Sequence, residues 1–180
     1  MSRCVAFEGA DLTGKTSLID ALQKRMPYSM WPLLSLSLSK EILHDKSGKS
    51  ITEIETAYYK AVAGMTRTMS VLMDRCYVTN YVYGSVFGRD VDLDAIREVE
   101  AALRPVIVYV YTPLEVLQER LKRRGDDFVD RASLVKIFEG YLNWYYANPF
   151  GNAIVRVDST VAANLDDLAG LTAERLAENR

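Results

Sequence analysis

Histidine and cysteine are scarce in this chain, and their small number limits the metal sites and disulfides that it can form. The 180 residues include one histidine, His44, and two cysteines, Cys4 and Cys76. This set does not supply the four cysteine or histidine ligands of a usual zinc site, so zinc is not expected. The cysteines fall at the ends of predicted strands. We interpret them as buried, reduced thiols, which favours an intracellular, cytoplasmic protein.

Long apolar runs and a strong excess of one charge are also missing. No stretch approaches the roughly 20 apolar residues of a membrane span, and no apolar run follows a basic segment at the N-terminus as in a signal peptide. We therefore expect no membrane partner. The net charge of −2 argues against broad electrostatic binding to nucleic acid. The chain has 180 residues, of which 49% are hydrophobic, and this size and composition suit one globular domain.

The segment Gly9–Thr16 carries the strongest signal in the chain. It reads GADLTGKT and fits the phosphate-binding pattern G-x-x-x-x-G-K-[ST]. An apolar strand precedes it and a helix with an apolar side follows it, which places bound phosphates at a helix N-terminus. The candidate nucleotide-binding residues are Gly9, Ala10, Asp11, Leu12, Thr13, Gly14, Lys15, Thr16 and Ser17.

Each residue type in this loop has a chemical reason. Glycine lets the backbone curl so that successive N–H groups point at phosphate oxygens. Lys15 places a compact positive charge beside the β- and γ-phosphates, and the hydroxyl of Thr16 can ligate Mg²⁺. A glycine turn without a ligand would have no use for lysine and threonine at these positions. We therefore expect ATP and Mg²⁺ here.

Apolar runs alternate with helical segments along the chain, which predicts an α/β fold with a parallel sheet between helices. The predicted strands are residues 3–7, a less defined segment within 28–38, and residues 70–73, 105–111 and 153–157. The predicted helices are residues 16–26, 51–69, 77–87, 92–103, 113–124, 131–146 and 161–176. The alternating run Ser35–Ser39 is either an extended half-buried segment or a loop that lines the substrate site.

Acidic and basic residues lie where strands of such a sheet should end, which is where ligands bind in open α/β sheets. Glu8 and Asp11 flank the phosphate loop and could hold Mg²⁺ through water or accept a proton from a second substrate. Asp74 could reach the metal or act as a base, and Arg75 could bind phosphate in a bidentate manner. The alternative for Asp74 and Arg75 is an ion pair that joins two elements.

Two arginines on the helix after the fourth strand, Arg120 and Arg124, are four residues apart and share a face. With the charged segment that follows, they indicate an arginine-bearing lid at about 120–131. Lid arginines neutralise charge on a phosphoryl group in transfer, and Arg120 would also contact the nucleotide. The alternative is a solvated basic helix end. His44 lies in a polar stretch, so a general base, if one is needed, must be a carboxylate.

These residues together resemble the thymidylate kinase and deoxynucleoside kinase superfamily. Phe7–Ser17 is most similar to the thymidylate kinase form F-E-G-x-D-x-x-G-K-[ST], and Asp74-Arg75 resembles the D-R element after strand three. The resemblance spans most of the chain. It implies a three-layer, doubly wound, five-stranded parallel sheet, one kinase domain over residues 1–180, Mg-ATP on the loop, and a nucleoside or its monophosphate as acceptor.

The resemblance also implies roles on the acceptor side. Arg75 would hold the acceptor phosphate, and Thr79 and Tyr83 fall where the family has residues near the base. Tyr58 is a further candidate for stacking or hydrogen bonding to a base. The chain departs from the family in having no arginine between Arg25 and Arg67. Glu53 and Glu55 lie near the place where a clamp arginine is expected, and Arg67 could compensate from later in that helix.

We therefore predict ATP-dependent phosphoryl transfer to a pyrimidine deoxynucleoside monophosphate. Three alternatives stay open at this point. They are a deoxynucleoside kinase with Glu8 as base for the sugar 5′-hydroxyl, a kinase that acts on a nucleic acid, and a nucleotide-dependent switch that hydrolyses ATP. Whether the chain forms a homodimer is also open.

Overall fold

The computed structural model describes residues 4–36, 49–124 and 129–178. Its strands form one parallel sheet in the order β2-β3-β1-β4-β5. The strands are β1 (Cys4–Glu8), β2 (Leu33–Ser35), β3 (Val71–Asp74), β4 (Val106–Tyr111) and β5 (Ala153–Asp158). The helices are α1 (Lys15–Gln23), α2 (Lys49–Met65), α3 (Tyr77–Phe87), α4 (Leu93–Leu103), α5 (Leu114–Arg124), α6 (Arg131–Ala147) and α7 (Leu165–Glu178), with a 3₁₀ turn at Tyr28–Met30.

The central strands β3, β1 and β4 lie in the middle layer because they are apolar on both faces. All five residues of β1 are buried, and β4 reads VIVYVY, as expected for a parallel sheet covered by helices on each side. Core residues of α2, α3, α4 and α6 pack on one face, and core residues of α1 and α7 pack on the other. The predicted three-layer, five-stranded arrangement is confirmed.

Several helix boundaries differ from the predictions by one to four residues, and a side-chain hydrogen bond accounts for two of the starts. The last helix begins at Leu165 rather than Val161, because the side chain of Asn164 accepts a hydrogen bond from the Asp167 amide and caps it. Thr112 does not cap α5. Its hydroxyl contacts the Thr13 carbonyl oxygen at 3.3 Å and the Ser159 hydroxyl at 2.6 Å, and α5 begins at Leu114.

Other boundaries differ by a few residues. The first helix ends at Gln23 rather than Met26, and β2 covers only three residues of the expected 28–38 range. The end of the alternating Ser35–Ser39 run lies outside the described residues. Asp92 caps α4, since its carboxylate accepts from the amides of Asp94 and Ala95.

Because all strands are parallel, their carboxyl ends meet along one edge of the sheet. That edge carries the loop after β1, Arg75 after β3, Thr112 after β4 and Ser159 after β5. Within the described part of the chain, no helix combines the length and apolar character needed to cross a membrane.

Candidate functional site

The loop between β1 and α1 has the backbone curl that its glycines predict. Gly9, Leu12 and Gly14 all have positive φ angles, at 144°, 66° and 89°. A Cβ atom on Gly9 would lie 2.4 Å from the carbonyl oxygen of Val110, so this position tolerates only glycine without movement of β4. The hydroxyl of Thr13 donates to the Ala10 carbonyl oxygen at 3.0 Å and braces the turn.

Lys15 folds back into this loop. Its ammonium donates to the carbonyl oxygens of Gly9 at 2.9 Å and Ala10 at 2.8 Å. Burial is the main cause that lowers the pKa of Lys15 to about 7, and the nearby Arg75 lowers it further. The protein thus holds this cation in a place that disfavours its charge. An anionic ligand in the loop would restore the charged form.

Thr16 and Asp74 lie side by side at the exposed entrance of α1. The Thr16 hydroxyl is 3.4 Å from a carboxylate oxygen of Asp74. Among the residues that the structure describes, no three His, Cys, Asp or Glu side chains cluster as a metal cage. One hydroxyl and one carboxylate suit Mg²⁺, which usually keeps several waters and takes its other ligands from phosphates. The donor set therefore fits the predicted metal.

Glu8 is completely buried, and hydrogen bonds occupy both of its oxygens. Oε1 accepts from the Cys76 amide at 2.6 Å. Oε2 accepts from the hydroxyls of Thr79 and Tyr141, each at 2.8 Å. The carboxylate is therefore held by the start of α3 and by α6, and neither oxygen points free into the site.

Arg75 links the end of β3 to the phosphate loop. One terminal nitrogen contacts Asp11 at 2.5 Å, and the other donates to the Gly9 carbonyl at 3.3 Å. Asp11 also accepts a hydrogen bond from the Tyr83 hydroxyl. Both partners of the ion pair keep about a quarter of their side-chain surface exposed, so the pair faces the solvent-accessible part of the site. The expected alternative, an ion pair that joins two elements, is present, but its acid is Asp11.

Of the two predicted lid arginines, the structure brings only Arg120 to the loop. Its guanidinium donates to the Leu12 carbonyl oxygen at 2.8 Å. Arg124 is exposed, and no contact joins it to the loop within the described residues. Residues 125–128 of the predicted lid lie outside the described part of the chain.

Two acceptor-side candidates, Tyr58 and Arg67, lie away from the others. The structure places Thr79 and Tyr83 beside the ion pair, since the Thr79 hydroxyl accepts from Arg75 at 3.2 Å and the Tyr83 hydroxyl donates to Asp11. Tyr58 packs against the core cluster that includes Cys4, and its ring meets that of Tyr59 edge-on. Arg67 is exposed in the turn before β3, at the opposite edge of the sheet. The reason is the direction of α2, which runs antiparallel to the strands and carries its last turns away from the loop.

A small cavity between α2, α3 and α4, with room for about one water molecule, is lined by residues outside the site described above. Its lining is mainly apolar, and its members are Glu55, Thr56, Tyr59, Tyr77, Asn80, Ala95, Ile96 and Val99. Burial is the main cause that raises the pKa of Glu55 to about 8, and the carboxylate of Glu8 adds to the shift. Asn80 and Arg89 act in the opposite direction. Glu55 shares a helix face with the core residues Tyr59 and Val62, which is the signal that could have revealed it.

The raised pKa of Glu55 predicts a pH-dependent cost to stability. In the unfolded chain Glu55 ionises near its ordinary pKa of 4.5, whereas the folded chain keeps its proton to about pH 8. Between these values the folded state binds more protons, so the contribution of Glu55 to the free energy of unfolding falls as pH rises. Glu55→Gln stays neutral. The unfolding temperature of this variant should therefore rise relative to that of the wild type from pH 5 to pH 8.

Glu53→Gln provides the matched control, because Glu53 is exposed two residues away on the same helix. The difference between this variant and the wild type should not change with pH over the same range. Thermal unfolding of the three proteins in parallel buffers measures both differences. A pH-independent difference for Glu55→Gln would mean that Glu55 ionises normally in the folded protein.

Similarity to known proteins was found among solved structures. No protein-family model matches the chain, and no curated protein matches it. The YorR protein of Bacillus subtilis, solved in complex with phosphorylated GDP, is 22% identical, with a TM-score of 0.73 and 98% coverage of both chains. Deoxyadenosine kinase from M. mycoides, solved with the products dCMP and dCDP, is 13% identical, with a TM-score of 0.68 and coverage of 97% and 99%. The likeness shows that this chain has the P-loop kinase fold.

Proposed function

We propose that this protein transfers a phosphoryl group from ATP to a deoxynucleoside monophosphate. The loop amides, Lys15 and Arg120 form the donor side, and Arg75 faces the acceptor side. The nucleotides bound to the structurally similar proteins support a nucleotide acceptor. A preference for pyrimidines rests on the resemblance of Phe7–Ser17 to the thymidylate kinase loop.

The choice of a monophosphate rests on Glu8, because both oxygens of its carboxylate already accept hydrogen bonds. A sugar hydroxyl must lose a proton as it attacks, so it needs a base within hydrogen-bond reach. Glu8 already accepts three hydrogen bonds, and Asp11 is held by Arg75 and Tyr83. A phosphate acceptor carries its charge before the reaction and needs no such base. Arg75 offers it a positive charge on a side chain that is about a quarter exposed.

In this mechanism the protein positions charges rather than forming bonds. Loop N–H groups and Lys15 would bind the donor phosphates, and Lys15 would leave the Gly9 and Ala10 carbonyls to do so. Arg75 would orient the acceptor phosphate, and Arg120 would neutralise charge beside the loop. Thr16 and Asp74 would hold Mg²⁺, directly or through water, and the metal would withdraw charge from the donor phosphates.

Phosphorylation of a deoxynucleoside is the second candidate, because the structural similarity includes deoxyadenosine kinases. It would require Glu8 to release the hydroxyl of Thr79 or Tyr141 and to accept the proton of the sugar hydroxyl. The two candidates predict different acceptors and can be separated by a direct assay.

A coupled assay of ADP release with a panel of acceptors tests the proposal. The panel contains deoxynucleosides, their monophosphates and a short oligonucleotide, each with Mg-ATP. We expect ADP release with a monophosphate and formation of the diphosphate. Release with thymidine but not with its monophosphate would favour the second candidate. ATP hydrolysis that no acceptor changes would indicate a nucleotide-dependent switch instead.

A further inference from the structure

The hydroxyl of Tyr141 occupies the centre of the polar network around Glu8 and Arg75. The residue is fully buried in α6. Its hydroxyl donates to Glu8 at 2.8 Å and accepts from Arg75 at 3.1 Å. The hydroxyl of Thr79 makes the same two kinds of contact, at 2.8 Å and 3.2 Å.

These two hydroxyls connect a buried anion to the arginine of the site. A guanidinium has only donors and a carboxylate has only acceptors, whereas a hydroxyl can accept from the first while it donates to the second. Arg75 and Glu8 are thus held in one network through Tyr141 and Thr79. Such networks fix side-chain orientation when every member is satisfied.

The ring of Tyr141 is itself fixed by its neighbours. It stacks on Tyr109 with a centroid separation of 6.3 Å and meets Trp144 edge-on at 6.4 Å. Trp144 and Tyr109 are also buried. The tyrosine therefore presents its hydroxyl from a rigid support, and the network has a fixed point that does not belong to the phosphate loop or to β3.

We propose that Tyr141 is a positioning residue for phosphoryl transfer, which holds the guanidinium of Arg75 in the orientation that receives the acceptor. This inference rests on the proposed function, because it assigns the acceptor to Arg75. Without the Tyr141 hydroxyl, the terminal nitrogen of Arg75 keeps Thr79 and Gly9 as partners but loses its contact with α6. The guanidinium would then sample orientations that do not suit the acceptor.

Tyr141→Phe tests the inference, since phenylalanine keeps the ring and removes only the hydroxyl. We expect kcat to fall by about 10- to 100-fold, as is usual when a reacting partner is misplaced by a small distance. The KM for ATP should stay within about twofold, because the donor loop is not altered. The matched control is Tyr109→Phe, which removes a hydroxyl from a buried ring that stacks on Tyr141 and belongs to neither binding side. It should leave kcat within about twofold.

A second measurement separates failure of this inference from failure of the proposed function. The motion of the Arg75 Nε–H group, followed by ¹⁵N relaxation, should increase in Tyr141→Phe and not in Tyr109→Phe. A wild-type protein that phosphorylates no acceptor would refute the proposed function, and the Arg75 motion would still test positioning. If Tyr141→Phe has wild-type kcat, or if Arg75 is as rigid in it as in the wild type, Tyr141 does not position Arg75.

Discussion

Replacing Lys15 with methionine should lower phosphoryl transfer by on the order of 10³-fold or more, and the chain should stay folded. Lys15 carries the one ammonium inside the loop, where charge on the donor phosphates must be compensated as transfer proceeds. Removal of one preorganised charge or donor at such a place typically costs 10²–10³ in rate, and an arginine that acts on the transferred phosphoryl group is worth more. Methionine fills a similar volume without the charge.

The stability of this variant should have a characteristic pH dependence. Burial lowers the pKa of Lys15 to about 7 in the folded chain, against an ordinary value of 10.5. Between these values the unfolded chain binds more protons, so the wild-type protein without nucleotide gains stability as pH rises through this window. The limiting slope for one proton is about 1.4 kcal/mol per pH unit. Lys15→Met lacks this gain. Its free energy of unfolding should therefore fall relative to that of the wild type from pH 7 to pH 9.

Lys24→Met is the control for loss of a lysine charge, because Lys24 is exposed just after α1. It should keep both the wild-type transfer rate and the wild-type dependence of stability on pH. Initial rates of ADP release and thermal unfolding at pH 7, 8 and 9 give the two readouts. Near-normal transfer by Lys15→Met would contradict the proposed use of the loop, even if the fold were intact.

Sequence patterns predicted the central strands well because each is marked over its whole length. The apolar runs in β1, β3 and β4 exceed what one exposed face would allow, and each precedes a helical period. Helix starts were less predictable, because they depend on single side-chain contacts. Thr112 satisfies the rule for an N-cap, yet its hydroxyl bonds to Thr13 and Ser159.

The site was predictable where the motif is local and unpredictable where distant helices meet. Gly9–Ser17 is one contiguous pattern, and its strand and helix follow from its own flanks. Tyr141 joins Glu8 across 133 residues, and its spacing in α6 is the same as that of core residues. Arg67 has suitable chemistry but lies at the far edge of the sheet. Its position depends on where α2 ends, which composition does not reveal.

Arg75 and Arg104 both have left-handed backbones, and replacing each with glycine should have opposite effects on stability. Their φ angles are 71° and 42°. A left-handed backbone costs a residue with a side chain about 1–2 kcal/mol. Glycine escapes this cost but loses about 0.5–1 kcal/mol through the greater freedom of its unfolded chain. Arg104 is exposed at the C-cap of α4, so Arg104→Gly should stabilise the fold by up to about 1 kcal/mol and leave transfer unchanged.

Arg75→Gly should instead destabilise the fold. It relieves the same kind of strain but leaves Asp11 without its ion pair and removes a donor from Thr79 and Tyr141. Loss of one partner of a partly buried pair usually costs more than the strain that glycine relieves, so we expect the free energy of unfolding to fall by about 1–3 kcal/mol. Transfer to the acceptor should fall by at least about 10²-fold, while ATP still binds to the loop.

Denaturant unfolding, ATP titration and initial-rate assays of the two glycine variants measure these effects side by side. Backbone strain in a residue that is not glycine persists when the surroundings require the side chain, and the two arginines differ in this respect. Of these two arginines, Arg75 is the one whose side chain contacts the site, at Gly9, Asp11, Thr79 and Tyr141. If Arg75→Gly transferred phosphate at nearly the wild-type rate, the strain at this position would serve the fold alone, and the acceptor would have to bind elsewhere.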